Sequence, residues 1–219
     1  MGAVENLKKR TPAMLLTAEQ RDALTELINI AFSRTAAALS EITSRRVLIS
    51  APQLGVHPLG ELQDALAVLI PGEVATVHQI FTGNIAGDAL LVLNYEGATQ
   101  LVDLLADELS PAGRLDPSGR EVLMEVGNIL LNACLGMFGN VLEVQVSFSV
   151  PRLRLEDLRG MLTDMLIGGD DIRVALVVYT TFRLKDSDIG GFLVLILGVS
   201  SLERLLAAVG EWAARTGDE

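Results

Sequence analysis

A single cysteine, Cys134, in a chain of 219 residues cannot close an internal disulfide, which excludes a disulfide-stapled framework. The opening residues MGAVENLKKRTPAMLL lack the long apolar region of a secretory signal, and the two absences together predict a cytoplasmic protein. Asn6 stands where a myristoylation motif needs Ser or Thr, so Gly2 is not read as a lipid acceptor. Basic residues are also scarce, with 17 Lys and Arg against 28 Asp and Glu and a net charge of −11. Nucleic acid and anionic membrane surfaces both reward clustered Lys and Arg, so neither is predicted as a partner. The phosphate-cradling glycine patterns of nucleotide-binding loops and dinucleotide folds are missing. No spacing of His, Cys and carboxylates suits a metal, and no Ser-His-acid set is present. His57 beside Pro58 and His78 within a strand-like run read as structural, and Cys134 reads as a small core residue. No cofactor of the protein's own is predicted.

With half of its residues hydrophobic, the chain has ample material for a core. The segment REVLMEVGNILLNACLGMFGN, residues 120 to 140, has apolar residues at helical spacing, yet carries Asn128 and Asn132, and Asn is a poor helix former. At 100° per residue, Glu121, Glu125, Asn128 and Asn132 fall within an arc of about 60°. They form one polar stripe on an apolar helix. Three asparagines and three glycines between Val126 and Leu142 argue against a membrane span there.

The stripe has a second copy. Residues 17 to 42 open with a capping-box pattern, Thr17 then Gln20, and carry Asp22, Glu26, Asn29 and Ser33 at the same spacing, with Glu26 to Glu125 and Asn29 to Asn128 both 99 apart. Val47, Ile49 and Pro52 lie 99 residues before Val146, Phe148 and Pro151. The chain is therefore read as a leader, 1–16, followed by a single domain, 17–219, made of two repeats, 17–109 and 117–215, with a linker at 110–119. Each repeat is expected to run from a long helix through a short strand, 47–51 or 141–150, to a strand pair and a closing helix. Residues 61–70 are ambiguous between helix and strand, and 155–167 are helical or irregular. The strand at 141–150 alternates so that one face is buried, and the sheet is expected to be covered on one side. The predicted class is α+β, a duplicated domain with a pseudo-two-fold axis and a mainly antiparallel sheet flanked by helices.

The duplicated Glu and Asn are the candidates for chemistry. An exposed Glu can pair with a lysine. Asn has both a donor and an acceptor and can hold a water in place, although it cannot take a proton. That combination suits hydrolysis of a bond activated elsewhere, where positioning the nucleophile is the main task.

An acidic or Ser residue, three residues, Glu, two residues, Asn, then about twenty residues to a Pro resembles the motif of the CheC, CheX and FliY phosphatase family of bacterial chemotaxis. It occurs twice here, as Asp22, Glu26, Asn29, Pro52 and as Glu121, Glu125, Asn128, Pro151. With two motifs and no residues left for the extra C-terminal module of FliY-type proteins, the chain resembles CheC most. The resemblance implies a CheC-like fold and removal of the aspartyl phosphate from the response regulator CheY. It implies that Glu26 and Glu125 pair with a lysine of the regulator, that Asn29 and Asn128 orient the attacking water, and that the magnesium belongs to the regulator. It also implies CheD, the receptor deamidase, as a possible partner. The alternative function is a non-catalytic module that binds a response regulator or CheD; a flagellar switch component is a third reading. The sequence departs from the family pattern in two places: Ile28 and Phe32 are expected to crowd the first site, and Glu121 opens the second where the family prefers Asp or Ser, although Gly127 is expected to leave room there beside Asn128.

Overall fold

In the computed structural model, residues 16–44, 46–62, 66, 70, 72–105, 114–157, 160–163, 173–184 and 187–216 are described. The elements run α1 (Ala18–Thr43), β1 (Val47–Ile49), β2 (Gln53–Pro58), β3 (Glu73–Gly83), β4 (Gly87–Asn94), α2 (Tyr95–Leu105), α3 (Pro117–Val141), β5 (Val146–Phe148), β6 (Arg152–Asp157), β7 (Arg173–Leu184), β8 (Ser187–Gly198) and α4 (Val199–Thr216).

The two long helices start and stop for identifiable reasons. The capping box opens α1: Thr17 Oγ1 accepts from the Gln20 amide at 3.1 Å, and Gln20 Oε1 accepts from the Thr17 amide at 3.0 Å. Before α3, Asp116 Oδ1 accepts from the Gly119 amide at 2.7 Å, and Pro117 takes the first helical position, where no N–H is needed. The predicted linker at 110–119 is therefore shorter at its end, because 117–119 already belong to the helix. Its residues 110–113 lie outside the described residues, as do 1–15 of the predicted leader. Leu16, counted with the leader, is 8% exposed and part of the core. Both helices end on left-handed residues 99 positions apart, Ser44 at φ 50° and Glu143 at φ 56°. The chain turns out of each helix at the same point of its repeat.

All strand pairings are antiparallel, in the order β1-β7-β8-β4-β3-β5, with β2 beside β7 and β6 beside β3. The order reads the same from either edge once β1, β7 and β8 are matched to β5, β3 and β4. The registers agree: Ile49 faces Phe182 as Phe148 faces Phe81, and Gln53 faces Tyr179 as Arg152 faces His78. Gln79 faces Ala89 as Thr180 faces Gly191, so β4 and β8 are offset by 191 − 89 = 102. Leu91 pairs with Leu193, which is 91 + 102. The pseudo-two-fold axis passes between these two leucines.

Several expectations are corrected. The predicted strand at 141–150 contracts to β5, because the helix continues through Val141. Its expected buried face is divided: Val144 and Val146 are half-buried against the main core, whereas Phe148 and Val150 are 37% and 83% exposed at the sheet edge. β6 runs into the stretch 155–167 expected to be helical or irregular, where 155–157 are strand and 160–163 are helical; 158–159 and 164–167 lie outside the described residues. In the ambiguous stretch, 61, 62 and 66 are helical and 63–65 and 67–69 lie outside the described residues. The sheet is covered on both sides. The long helices pack a large core on one face, and Leu59, Leu62, Leu66, Ile70, Met161 and Leu162 close a second core on the other. The near-continuous apolar runs of β4 and β8 fit that double burial.

Candidate functional site

Both polar stripes lie on the surface at symmetry-equivalent places. On α1, Asp22, Glu26 and Ser33 are exposed and Asn29 is half-buried; on α3, Glu121 and Glu125 are exposed and Asn128 and Asn132 are half-buried. The packing that produces this is the same in each helix, because Leu24, Leu27, Ala31, Leu123, Val126 and Leu130 turn inward and leave the acid and amide outside. The helices pack against each other, and Arg34 on α1 donates to Met137 Sδ on α3 at 3.3 Å. The acids and amides of each stripe are brought together along one helix; the structure joins no residue of one stripe to the other by a hydrogen bond among the described residues.

Pro52 and Pro151 serve the sites from the sheet. β1 and β2 both pair with β7, and β5 and β6 both pair with β3, so each set is one edge strand broken at 50–52 or 149–151. Proline has no N–H to continue a ladder and is tolerated at such an edge. At the break, a serine keeps one backbone ladder bond, Ser149 N–H to Ile80 O or Ser50 N–H to Thr181 O, both at 2.9 Å, and adds its side chain to it. Ser149 Oγ accepts from the Ile80 amide at 2.9 Å, and Ser50 Oγ accepts from the Thr181 amide at 2.9 Å. The serine carbonyls then accept from side chains beneath the helices: Gln79 Nε2 donates to Ser149 O at 2.8 Å, and Thr180 Oγ1 donates to Ser50 O at 3.0 Å.

The amide surroundings differ between the halves. Asn132 Nδ2 donates to Asn128 Oδ1 at 2.7 Å, and Gln79 Nε2 donates to Asn132 Oδ1 at 3.3 Å. Asn29 makes no side-chain hydrogen bond among the described residues. Two sequence expectations about crowding are overturned. Ile28 and Phe32 are 1% and 2% exposed; they fill the core under α1 and leave the approach to Asn29 open. Gly127 is buried as well, and a Cβ there would lie 2.6 Å from Val77 Cγ1. It seats α3 against β3 and makes no room for a partner beside Asn128.

Among the described residues, the remaining titratable groups offer no competing site. Cys134 is 1% exposed and burial pushes its thiol well above the ordinary range, so it carries no thiolate at neutral pH. Burial lowers the pKa of His57, against an opposing pull from Glu61. His78 Nε2 and Asp88 Oδ1 lie 2.9 Å apart on the sheet face away from the long helices. Among the described residues no group of three or more His, Cys, Asp or Glu could hold a metal, and no helix is long and apolar enough to cross a membrane.

Comparison with known proteins bears on this geometry. No family model matches the chain. It is 27% identical over 175 residues to the flagellar motor switch phosphatase FliY of Bacillus subtilis, covering 78% of this chain and 43% of that protein. It is 22% identical over 200 residues to the CheY-P phosphatase CheC of the same organism, covering 88% of this chain and 94% of that protein. The chain is a homologue of the FliY and CheC proteins. Among solved structures, Thermotoga maritima FliY superposes with a TM-score of 0.72 at 18% identity, over 91% of this chain and 100% of that one. The FliM middle domain from H. pylori gives a TM-score of 0.61 at 14% identity, over 88% and 99%. At such identities the superpositions establish the fold, which is that of the CheC-like proteins.

In this FliY and CheC homologue, sequence reasoning named every stripe residue and missed Gln79. The signal was available: Ala75, Val77, Gln79 and Phe81 alternate on the helix-facing side of β3, and all four are buried. An amide among them needs a polar partner nearby.

Proposed function

We propose that this protein hydrolyses the aspartyl phosphate of a phosphorylated CheY-like response regulator in the cytoplasm. The observation that carries the reading is an exposed Glu with a half-buried Asn three residues further on, presented twice at symmetry-equivalent positions of two neighbouring helices. An acyl phosphate is already activated, so catalysis needs mainly a water held in line with the phosphorus. Water attacks, the bond between phosphorus and the aspartate oxygen breaks, the regulator recovers its carboxylate, and the water's surplus proton leaves with inorganic phosphate or to solvent. Asn29 and Asn128 hold that water and exchange no proton with it.

Glu26 and Glu125 have no ion-pair partner among the described residues and are available to a lysine of the regulator. Asp22 and Glu121, one turn earlier, extend the same negative track. Pro52 and Pro151 contribute indirectly, through the strand breaks that turn Ser50 and Ser149 towards the helices. The magnesium that such a phosphoryl transfer uses is expected in the regulator's own acidic pocket. The homologues' names support the reaction class: one is a motor switch phosphatase and the other a CheY-P phosphatase.

The test is phosphate release from a phosphorylated CheY-like receiver domain with magnesium present. Acceleration of release by catalytic amounts of the protein supports the proposal. A stable complex with no acceleration would leave a non-catalytic binding module, for a response regulator or for CheD, in its place.

A further inference from the structure

The hydrogen bonds behind Asn128 have a direction that the backbone imposes. Gln79 is 1% exposed, and its amide faces the Ser149 carbonyl at 2.8 Å. A carbonyl only accepts, so Gln79 must present its NH2 group there. The same nitrogen then donates to Asn132 Oδ1 at 3.3 Å, which leaves Asn132 Nδ2 to donate to Asn128 Oδ1 at 2.7 Å. Asn128 is left with its own NH2 group unengaged at the helix surface. The arrangement has a cost, since Gln79 Oε1 is buried with no partner. A residue chosen for stability alone would avoid such an orphaned carbonyl.

The first site lacks this brace. Thr180 is the counterpart of Gln79, and its hydroxyl hydrogen is used on the Ser50 carbonyl at 3.0 Å. Ser33 is the counterpart of Asn132 and is exposed. No hydrogen bond reaches the Asn29 side chain among the described residues, so its amide can turn either end outward.

We infer that Gln79 and Asn132 are positioning residues of the second site, a relay that presents the NH2 group of Asn128, as a donor, to the oxygen of the attacking water. The inference rests on the phosphatase reading above. It makes the two sites unequal in turnover through their buried support, while their exposed acids remain alike.

The experiment uses the full chain carrying Asn29→Ala, which isolates the second site, and a phosphorylated CheY-like receiver domain as substrate. Asn132→Asp keeps the acceptor for Gln79 but removes the donor to Asn128; kcat is expected to fall about tenfold, the loss of roughly one charge-neutral hydrogen bond, with KM within twofold. Asn132→Ser should bring kcat down to that of the first site, measured separately in Asn128→Ala. Gln79→Leu removes the orphaned carbonyl and with it the donor to Ser149 and Asn132, so it should lower kcat at the second site with KM held and leave kcat of the first site, read in Asn128→Ala, unchanged, a split that a purely structural role does not produce. Unchanged kcat in both Asn132→Asp and Gln79→Leu, with turnover lost in Asn29→Ala/Asn128→Ala, would overturn the relay alone. Wild-type turnover in Asn29→Ala/Asn128→Ala would overturn the phosphatase reading and the relay with it.

Discussion

The two halves of the molecule carry the same surface on different foundations. α3 reaches the sheet through Gly127, against Val77, and through Leu131. α1 does so through Ile28 and Phe32, which lie 99 residues before those positions, and Ile28, Phe32 and Leu131 are all buried to 2% exposure or less. Outside, Glu26 matches Glu125 and Asn29 matches Asn128. Inside, only the second half has Gln79 and Asn132 behind its amide. The duplication has kept the residues that a partner would meet and let their support diverge, so the sites are expected to differ in rate more than in recognition.

The largest effect that breaks the comparison is on stability. Phe32→Ala empties a fully buried position and should cost about 3–5 kcal/mol, read from the denaturant midpoint, and should disturb the first site most. A loss below about 1 kcal/mol would show that α1 is not anchored through this ring. Next comes Gly127→Ala. Its new Cβ would meet three atoms of Val77 within 2.7 Å, so α3 must shift, at about 1–3 kcal/mol. The same experiment on the first half, Ile28→Val, should cost only about 0.5–1.5 kcal/mol.

These asymmetries mark the limit of what the sequence showed. The 99-residue offset, the stripes, the capping box at Thr17 and the strand pair 73–94 were legible because each rests on local periodicity or local capping. β2 and β6 were not, since QLGVHP and RLRLED become strands only by pairing with β7 and β3. Steric guesses at Ile28, Phe32 and Gly127 failed for a related reason. A helical wheel tells which residues are neighbours, but the direction of the core decides which of them a partner can touch.

A smaller effect concerns recognition. Glu125→Ala and Glu26→Ala should each raise KM for their own site about tenfold, equivalent to a lost charge-assisted contact, with kcat little changed. A drop in kcat at constant KM would move these carboxylates from anchoring to chemistry. The smallest effect is a pH dependence remote from both sites. Burial holds the folded-state pKa of His57 below its ordinary value of 6.5, so the unfolded chain binds the proton more readily. The stability that this lends is complete above about pH 6.5 and fades as the pH falls towards the lower folded value. His57→Leu should flatten the unfolding midpoint between about pH 5 and 7; an unchanged slope would assign the acid sensitivity to other groups.

The most direct test of the central claim is the rate of phosphate release from a phosphorylated CheY-like receiver domain, compared between the wild-type chain and Asn29→Ala/Asn128→Ala at equal regulator binding. The account predicts that the wild type accelerates release and that the double variant binds but loses nearly all of the acceleration. Equal release rates for the two proteins would contradict it.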